Sequence, residues 1–328
     1  MPPLLIILII LALIFDFLNG VQDSSNIVAT MISSRAIHPR VALTITAIAE
    51  FSGPFIFGVA VANTIGHEIV SSEHLSITVL IAALLSAISW NGMSWFFGIP
   101  SSSSHALIGG IIGSIAVGAG FSAILPAGVI KVLISLFASP IIGFLAGVLI
   151  ANLVYTLSWK ANPRINNAFK RLQIITSIGL ALSHGTNDAQ KTMGVITLGL
   201  LVSGMIPTFH VPIWVVFICA AAIAIGTSVG NWKLINTLGA KFYKIRPVHG
   251  FASQIASAGV ILAASLIGGP VSTTQVVSSA IMGVGAAERM SKVRWGLVGD
   301  ILSAWLFTIP STAILAAGFY WILSRFFQ

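Results

Sequence analysis

Apolar residues run along this chain in ten long stretches. They lie at about 4–34, 41–62, 76–98, 99–118 and 124–157, then 172–202, 211–230, 250–268, 269–286 and 295–323. A helix crossing a hydrocarbon layer needs about 20 such residues. The short alternating runs of a membrane β-barrel are absent. The pattern predicts an all-α integral membrane protein with about ten crossings. The third and fourth stretches of each half are barely separated, and no connection is long enough to form a soluble domain.

Composition agrees with that pattern. Of 328 residues, 56% are hydrophobic and 7% charged, whereas a soluble domain carries about 25% charged residues. The net charge of +8 does not read as a nucleic-acid face, because the basic residues sit in short clusters between apolar runs. With ten crossings, thirteen of the sixteen Lys and Arg residues fall on one side, from Arg35 and Arg40 through Lys160–Arg171 and Lys233–Arg246 to Arg289–Arg294. The exceptions are Lys131, Lys191 and Arg325. The positive-inside rule then puts those loops in the cytoplasm and both termini outside, in an inner (plasma) membrane. Making the first and fourth segments of each half re-entrant would scatter the basic loops over both faces. The single cysteine, Cys219, allows no disulfide framework. Met1-Pro2-Pro3 supplies no basic start for a cleaved signal peptide.

The chain repeats itself. Asn19–Asn26 reads Asn-Gly-Val-Gln-Asp-Ser-Ser-Asn, and His184–Lys191 reads His-Gly-Thr-Asn-Asp-Ala-Gln-Lys. Pro100-Ser-Ser-Ser-Ser-His105 finds its partner in Pro270-Val-Ser-Thr-Thr-Gln275. The aspartates are 165 residues apart and the prolines 170. The chain therefore divides into a first repeat at 1–157, a short basic cytoplasmic loop at 158–171 and a second repeat at 172–328. Five crossings per repeat is an odd number, so the second repeat is expected upside down relative to the first. Interrupted segments at matching places in inverted repeats point to a transport site between the halves.

Eight acids exist in the chain, and Asp23 and Asp188 lie deep in apolar sequence at equivalent repeat positions. A carboxylate at the bilayer centre costs about 3 kcal/mol or more, so such groups face a cavity or a partner. They read as cation ligands or proton carriers; the competing reading is a structural ion pair, for Asp188 with Lys191. Asp16, Glu50 and Asp300 are also intramembrane but lack counterparts, and the two readings balance there. Gly20 and Gly185, with Asn19, Asn26, Asn187 and Gln190 nearby, suggest locally unwound helix whose freed carbonyls would join the aspartates as ligands for a hard cation. The alternative for the glycines is a tight helix–helix contact. His105 and His184 adjoin the motifs, where structural histidines are the commoner case, so no proton path is built on them.

The Pro-Ser/Thr runs read as helix starts inside the membrane. A helix N-terminus presents free N–H donors and a positive dipole end, which suits an anion. Hydroxyls of Ser102, Ser103, Ser104, Ser272, Thr273 and Thr274 would add neutral donors. Single intramembrane serines more often bond a neighbouring helix, but two runs in equivalent places favour a site. There is no Gly-x-x-x-x-Gly-Lys phosphate loop and no catalytic metal spacing, so no enzyme is expected.

Together these motifs resemble the inorganic phosphate transporter (PiT) family of bacterial type. Ser183–Gly194 is very similar to its second-half signature, and Pro270–Thr274 to its Pro-Val-Ser-Thr-Thr element. Asn19–Asn26 matches the first-half signature except that Gln22 replaces the usual Asn. The resemblance covers essentially the whole chain. It implies secondary transport of phosphate driven by sodium or protons, with alternating access and no other cofactor. It assigns Asp23, Asn26, Asn187 and Asp188 to the cation (Asp23, Asn26 and Asp188 to sodium, if sodium is the ion). Phosphate falls to the Ser/Thr clusters with Gln190, Asp23 and Asp188. A sulfate or other oxyanion permease of the same fold and an anion channel are the alternatives. The expected partners are inorganic phosphate and the lipid bilayer, not nucleic acid, with homodimerisation left open.

Overall fold

The computed structural model describes residues 2–34, 36–70, 75–97, 101–162, 164–231, 246–293 and 295–326. Pro100, Arg35, Glu73, Lys233, Lys241, Lys244, Arg294 and the side chains of Lys292 and Asp300 fall outside the described part.

The described residues form helices and no strand. They are α1 (Pro3–Ser33), α2 (Pro39–Phe57), the single turn α3 (Ala60–Asn63) continued by a π-helical turn (Thr64–Glu68), α4 (Ile77–Phe97), α5 (Ser103–Gly118) and α6 (Pro126–Leu157). The second half continues with α7 (Ile165–Val202), α8 (Ile213–Val229), α9 (Pro247–Leu266), α10 (Thr273–Glu288) and α11 (Trp295–Leu323). Six helical stretches are long and apolar enough to cross a membrane by length and composition: Pro3–Ser33, Pro39–Phe57, Ile77–Phe97, Pro126–Leu157, Pro247–Leu266 and Leu306–Leu323. α7 starts at Ile165, before the expected 172, so Lys170 and Arg171 ride on its first turns instead of in a loop.

The surface is apolar and the interior is small and polar. On α6, Ile130, Ile134, Ile141, Leu145, Leu149 and Leu153 are exposed, while Gly143 and Gly147 face inward against Val276 and Ala280. That inverts the soluble-protein pattern and suits a lipid solvent. α7 is the opposite case. Every residue from Ser183 to Leu200 is buried, so this helix is wrapped by protein and tolerates the polar side chains of the second motif.

Helix contacts run reciprocally between the halves. α1 packs on α8, and α7 on α2; α6 packs on α10, and α11 on α5. Glycines make the closest approaches. A Cβ on Gly20 would lie 2.2 Å from the Ile223 carbonyl oxygen, and one on Gly185 would lie 2.1 Å from that of Glu50. Helix α1 runs unbroken through Gly20, and α7 through Gly185. The expected unwinding at these glycines is thus corrected: they permit backbone contact between helices and free no carbonyls. The break occurs instead in the second apolar stretch, where Gly58 adopts φ +82°, a left-handed conformation suited to glycine.

Candidate functional site

Two half-length helices start inside the molecule. Ser102 caps α5, its Oγ accepting the His105 backbone N–H at 3.2 Å; Ser272 caps α10 by accepting that of Gln275 at 3.4 Å. Both serines are buried. Serine at the N-cap relieves one of the unpaired N–H groups of the first turn and leaves others free. The two starts meet: Ser104 Oγ donates to the Val271 carbonyl at 3.0 Å. The positive ends of two helix dipoles therefore converge, each equivalent to about half an elementary charge.

Where they converge, α1 and α7 bring in the motif acids. Thr273, at the first turn of α10, ties both together. Its Oγ1 lies 2.9 Å from Asp188 Oδ2 and 3.4 Å from Asp23 Oδ2. Thr274 Oγ1 donates to Asp23 Oδ1 at 2.5 Å, and Asn26 Nδ2 donates to the same oxygen at 2.7 Å and to Thr274 Oγ1 at 3.0 Å. Two hydroxyls and an amide N–H thus crowd around the Asp23 carboxylate, and the carboxylate and hydroxyl oxygens are of the kind hard cations take. On the Asp188 side, Lys191 Nζ contacts Asp188 Oδ1 and donates to Ser104 Oγ at 2.5 Å and to Val271 O at 2.9 Å. The ammonium therefore sits between the two half-helix starts. Ser103 Oγ donates to Asn19 Oδ1 at 2.6 Å, and Asn19 Nδ2 reaches Asp188 Oδ2 at 3.4 Å, which links the start of α5 to the same carboxylate.

Two residues to which the sequence reading gave no role at the site, His184 and Glu50, complete the centre. His184 Nε2 is 3.0 Å from Asp188 Oδ2 and 3.5 Å from Asp23 Oδ2, and its Nδ1 is 2.8 Å from Glu50 Oε1. All four side chains are buried. One atom each from Asp23, His184 and Asp188 lie within 4.8 Å of one another, close enough to share a metal ion. The i, i+4 spacing of His184 and Asp188 put both on one helix face and was the available signal. For Glu50 the signal was its place as an acid in apolar sequence, but it has no repeat counterpart to mark it: it stands opposite Gly185 where the other half has Ile223 opposite Gly20.

Two expected ligands are corrected, because their amides are committed to backbone. Gln190 Oε1 accepts from Val61 N at 2.7 Å and Ala62 N at 3.3 Å, while its Nε2 donates to Gly58 O at 2.5 Å. It holds the break between α2 and α3. Asn187 Nδ2 donates to Ser265 Oγ at 2.8 Å and Gly269 O at 3.3 Å, and its Oδ1 accepts from Val271 N at 3.2 Å. It fixes the segment leading into α10. The expected residues that the structure gathers are Asp23, Asn26, Asp188, Ser103, Ser104, Thr273 and Thr274, with Ser102 and Ser272 serving as caps.

Residues 19–316 match the model of the family described as "Phosphate transporter family". The chain is 44% identical over 328 residues to a protein of Bacillus subtilis (strain 168) named "Probable low-affinity inorganic phosphate transporter", covering 99% of this chain and 98% of that one. A protein of the same name from Rhizobium meliloti (strain 1021) is 44% identical over 96% of this chain and 95% of its own length. A solved structure described as "The sodium-dependent phosphate transporter" superposes with a TM-score of 0.91 at 26% identity, covering 98% of this chain and 99% of that one.

Proposed function

This chain belongs to the phosphate transporter family, and we propose that it carries inorganic phosphate across the membrane by cation-coupled alternating access, with sodium as the coupling ion at Asp23. The observation that carries this reading is the position of Thr273. One hydroxyl at the N-terminus of a half-helix touches both repeat-related acids, so anion-binding and cation-binding chemistry share one place.

Chemistry favours phosphate over sulfate there. Helix N-termini, Ser103, Ser104, Thr273 and Lys191 offer donors and positive charge to an oxyanion. Asp23 and Asp188 offer acceptors beside them. Phosphate near neutral pH still carries a proton to donate to a carboxylate, and sulfate does not. A site that pairs such an acceptor with the substrate's O–H rejects an analogue that lacks it.

Charge explains coupling. Asp188 already has the Lys191 ammonium, whereas among the described residues no lysine or arginine contacts Asp23. A sodium ion on Asp23, Asn26, Thr273 and Thr274 would offset the second acid and favour a nearby anion. By linkage, phosphate would strengthen sodium binding by the same factor. The reciprocal helix pairing supports two inverted repeats, whose relative movement would open the site to either side in turn. Ten crossings, with the basic loops in the cytoplasm and both termini outside an inner membrane, complete the proposed topology.

The test is radiolabelled phosphate uptake into proteoliposomes with sodium and proton gradients imposed separately and sulfate as competitor. Uptake driven by inward sodium and insensitive to sulfate is expected. Uptake indifferent to any cation gradient would fit a channel and remove the reading, and equal competition by sulfate would remove the substrate assignment.

A further inference from the structure

Asp16 is the buried acid that the proposed centre does not use. It lies on α1 seven residues before Asp23, about 10 Å along the helix axis, and is fully buried. Its Oδ1 accepts the Thr192 hydroxyl at 2.6 Å; its Oδ2 has no nitrogen or oxygen donor, and the Cys219 thiol of α8 is the other group that reaches the carboxyl. Thr192 is one turn beyond Asp188 on α7, so Asp16 stands close enough to feel the charge of the site without touching its ligands.

Packing does not require an acid at this position. The repeat-equivalent residue, 165 positions on, is Ala181, which is also fully buried. One half closes around a methyl group where the other encloses a carboxyl.

The charged and titratable groups around Asp16 are few. α7 brings Asp188 and Lys191, which are paired with each other, and α8 brings the Cys219 thiol. α4 carries no titratable side chain. α2 brings Glu50, engaged with His184. α9 and α10 carry His249 and Glu288, which face each other. Among the described residues no cationic side chain bonds to Asp16. An enclosed carboxylate without a counter-ion is strongly unfavourable, so the group takes up a cation from solution whenever it is closed off. Its own oxygens and the Thr192 hydroxyl are too few for sodium, which wants several oxygen ligands. They suffice for a proton.

We propose that Asp16 is a proton-binding site, distinct from the cation ligands around Asp23, that is loaded from one side together with phosphate and unloaded on the other. The inference rests on the phosphate-transport reading. A proton on Oδ2 removes one negative charge beside the anion site, and bound phosphate in turn holds that proton. The carboxyl gains the proton from water on entry and returns it to water on release, with no other bond made or broken.

The experiment compares wild type, Asp16→Asn and Asp16→Glu in proteoliposomes by two readouts. One is phosphate–phosphate counterflow without gradients. The other is net phosphate uptake with an inward proton gradient at fixed sodium. Asn keeps the bond to Thr192 but binds no exchangeable proton, so it resembles the loaded form. Counterflow is expected to persist in both variants within about twofold, while an acceleration of about tenfold by the proton gradient is kept by wild type and Glu and lost in Asn. An Asn variant that is still accelerated overturns the proposal. So does loss of counterflow in Asn alone, or in both variants, since the position would then serve packing or the anion site itself. Wild type without phosphate counterflow would sink the transport reading as well, which separates that failure from this one.

Discussion

The two motif acids hold equivalent places in the two halves yet live in different surroundings. Asp188 is saturated: Lys191, His184, Thr273 and Asn19 all reach it. Asp23 has hydroxyls and an amide around it, and His184 at 3.5 Å as its nearest basic group. The difference traces to two positions of the repeat: four residues before Asp188 stands His184, where Asn19 precedes Asp23. Three residues after Asp188 stands Lys191, and three residues after Asp23 stands Asn26. A fixed ammonium stands in one half; in the other an amide donates to Asp23, whose carboxylate the proposed function leaves for a mobile ion. On the proposed reading the two halves offer two equivalent cation places, and Lys191 occupies one of them.

The largest effect is expected where that contrast is broken at its saturated end. Asp188→Asn leaves the Lys191 ammonium buried without its partner, a change that costs about 3–5 kcal/mol. Phosphate uptake should vanish, and the melting temperature of the purified protein should drop markedly. Asp23→Asn should also lower uptake by about 100-fold, the upper range of a coupling between two bound ions, but with near-normal melting because no buried cation is orphaned. Similar thermal losses in both variants would erase the distinction. Next comes Lys191→Asn, which makes the two halves alike. Uptake at low sodium should fall by about tenfold and recover at high sodium with a steeper dependence, because a second mobile ion must replace the lost ammonium. A sodium dependence of unchanged slope would argue against a built-in cation. The smallest effect belongs to Gln190→Ala, outside the centre. Losing its bonds to Gly58, Val61 and Ala62 should cost about 1–3 kcal/mol of stability while leaving the phosphate concentration for half-maximal uptake within about twofold.

Hydropathy made the helices legible, because lipid demands long apolar runs and six described stretches meet that demand. Pro270 with the Ser/Thr run marked the start of α10, because capping chemistry is local in sequence. Other features depend on partners distant in the chain. Gly20 and Gly185 read as helix breakers by propensity, but Ile223 and Glu50 on opposing helices turned them into contact points. Gln190 and Asn187 read as ligands because the family resemblance assigns those roles to the motif positions they fill. Only the fold shows that their amides hold the backbone at Gly58 and Val271. His184 gained its role from Glu50 and Asp23, carried on two other helices, and no local pattern announces such a meeting.

The co-binding of phosphate and sodium at Asp23 is tested most directly by equilibrium phosphate titration of the purified protein at rising sodium. Wild type should bind phosphate at least about tenfold more tightly at saturating sodium than without it, and Asp23→Asn should show a flat response. A full sodium response in Asp23→Asn would place the coupling ion elsewhere and contradict the shared site.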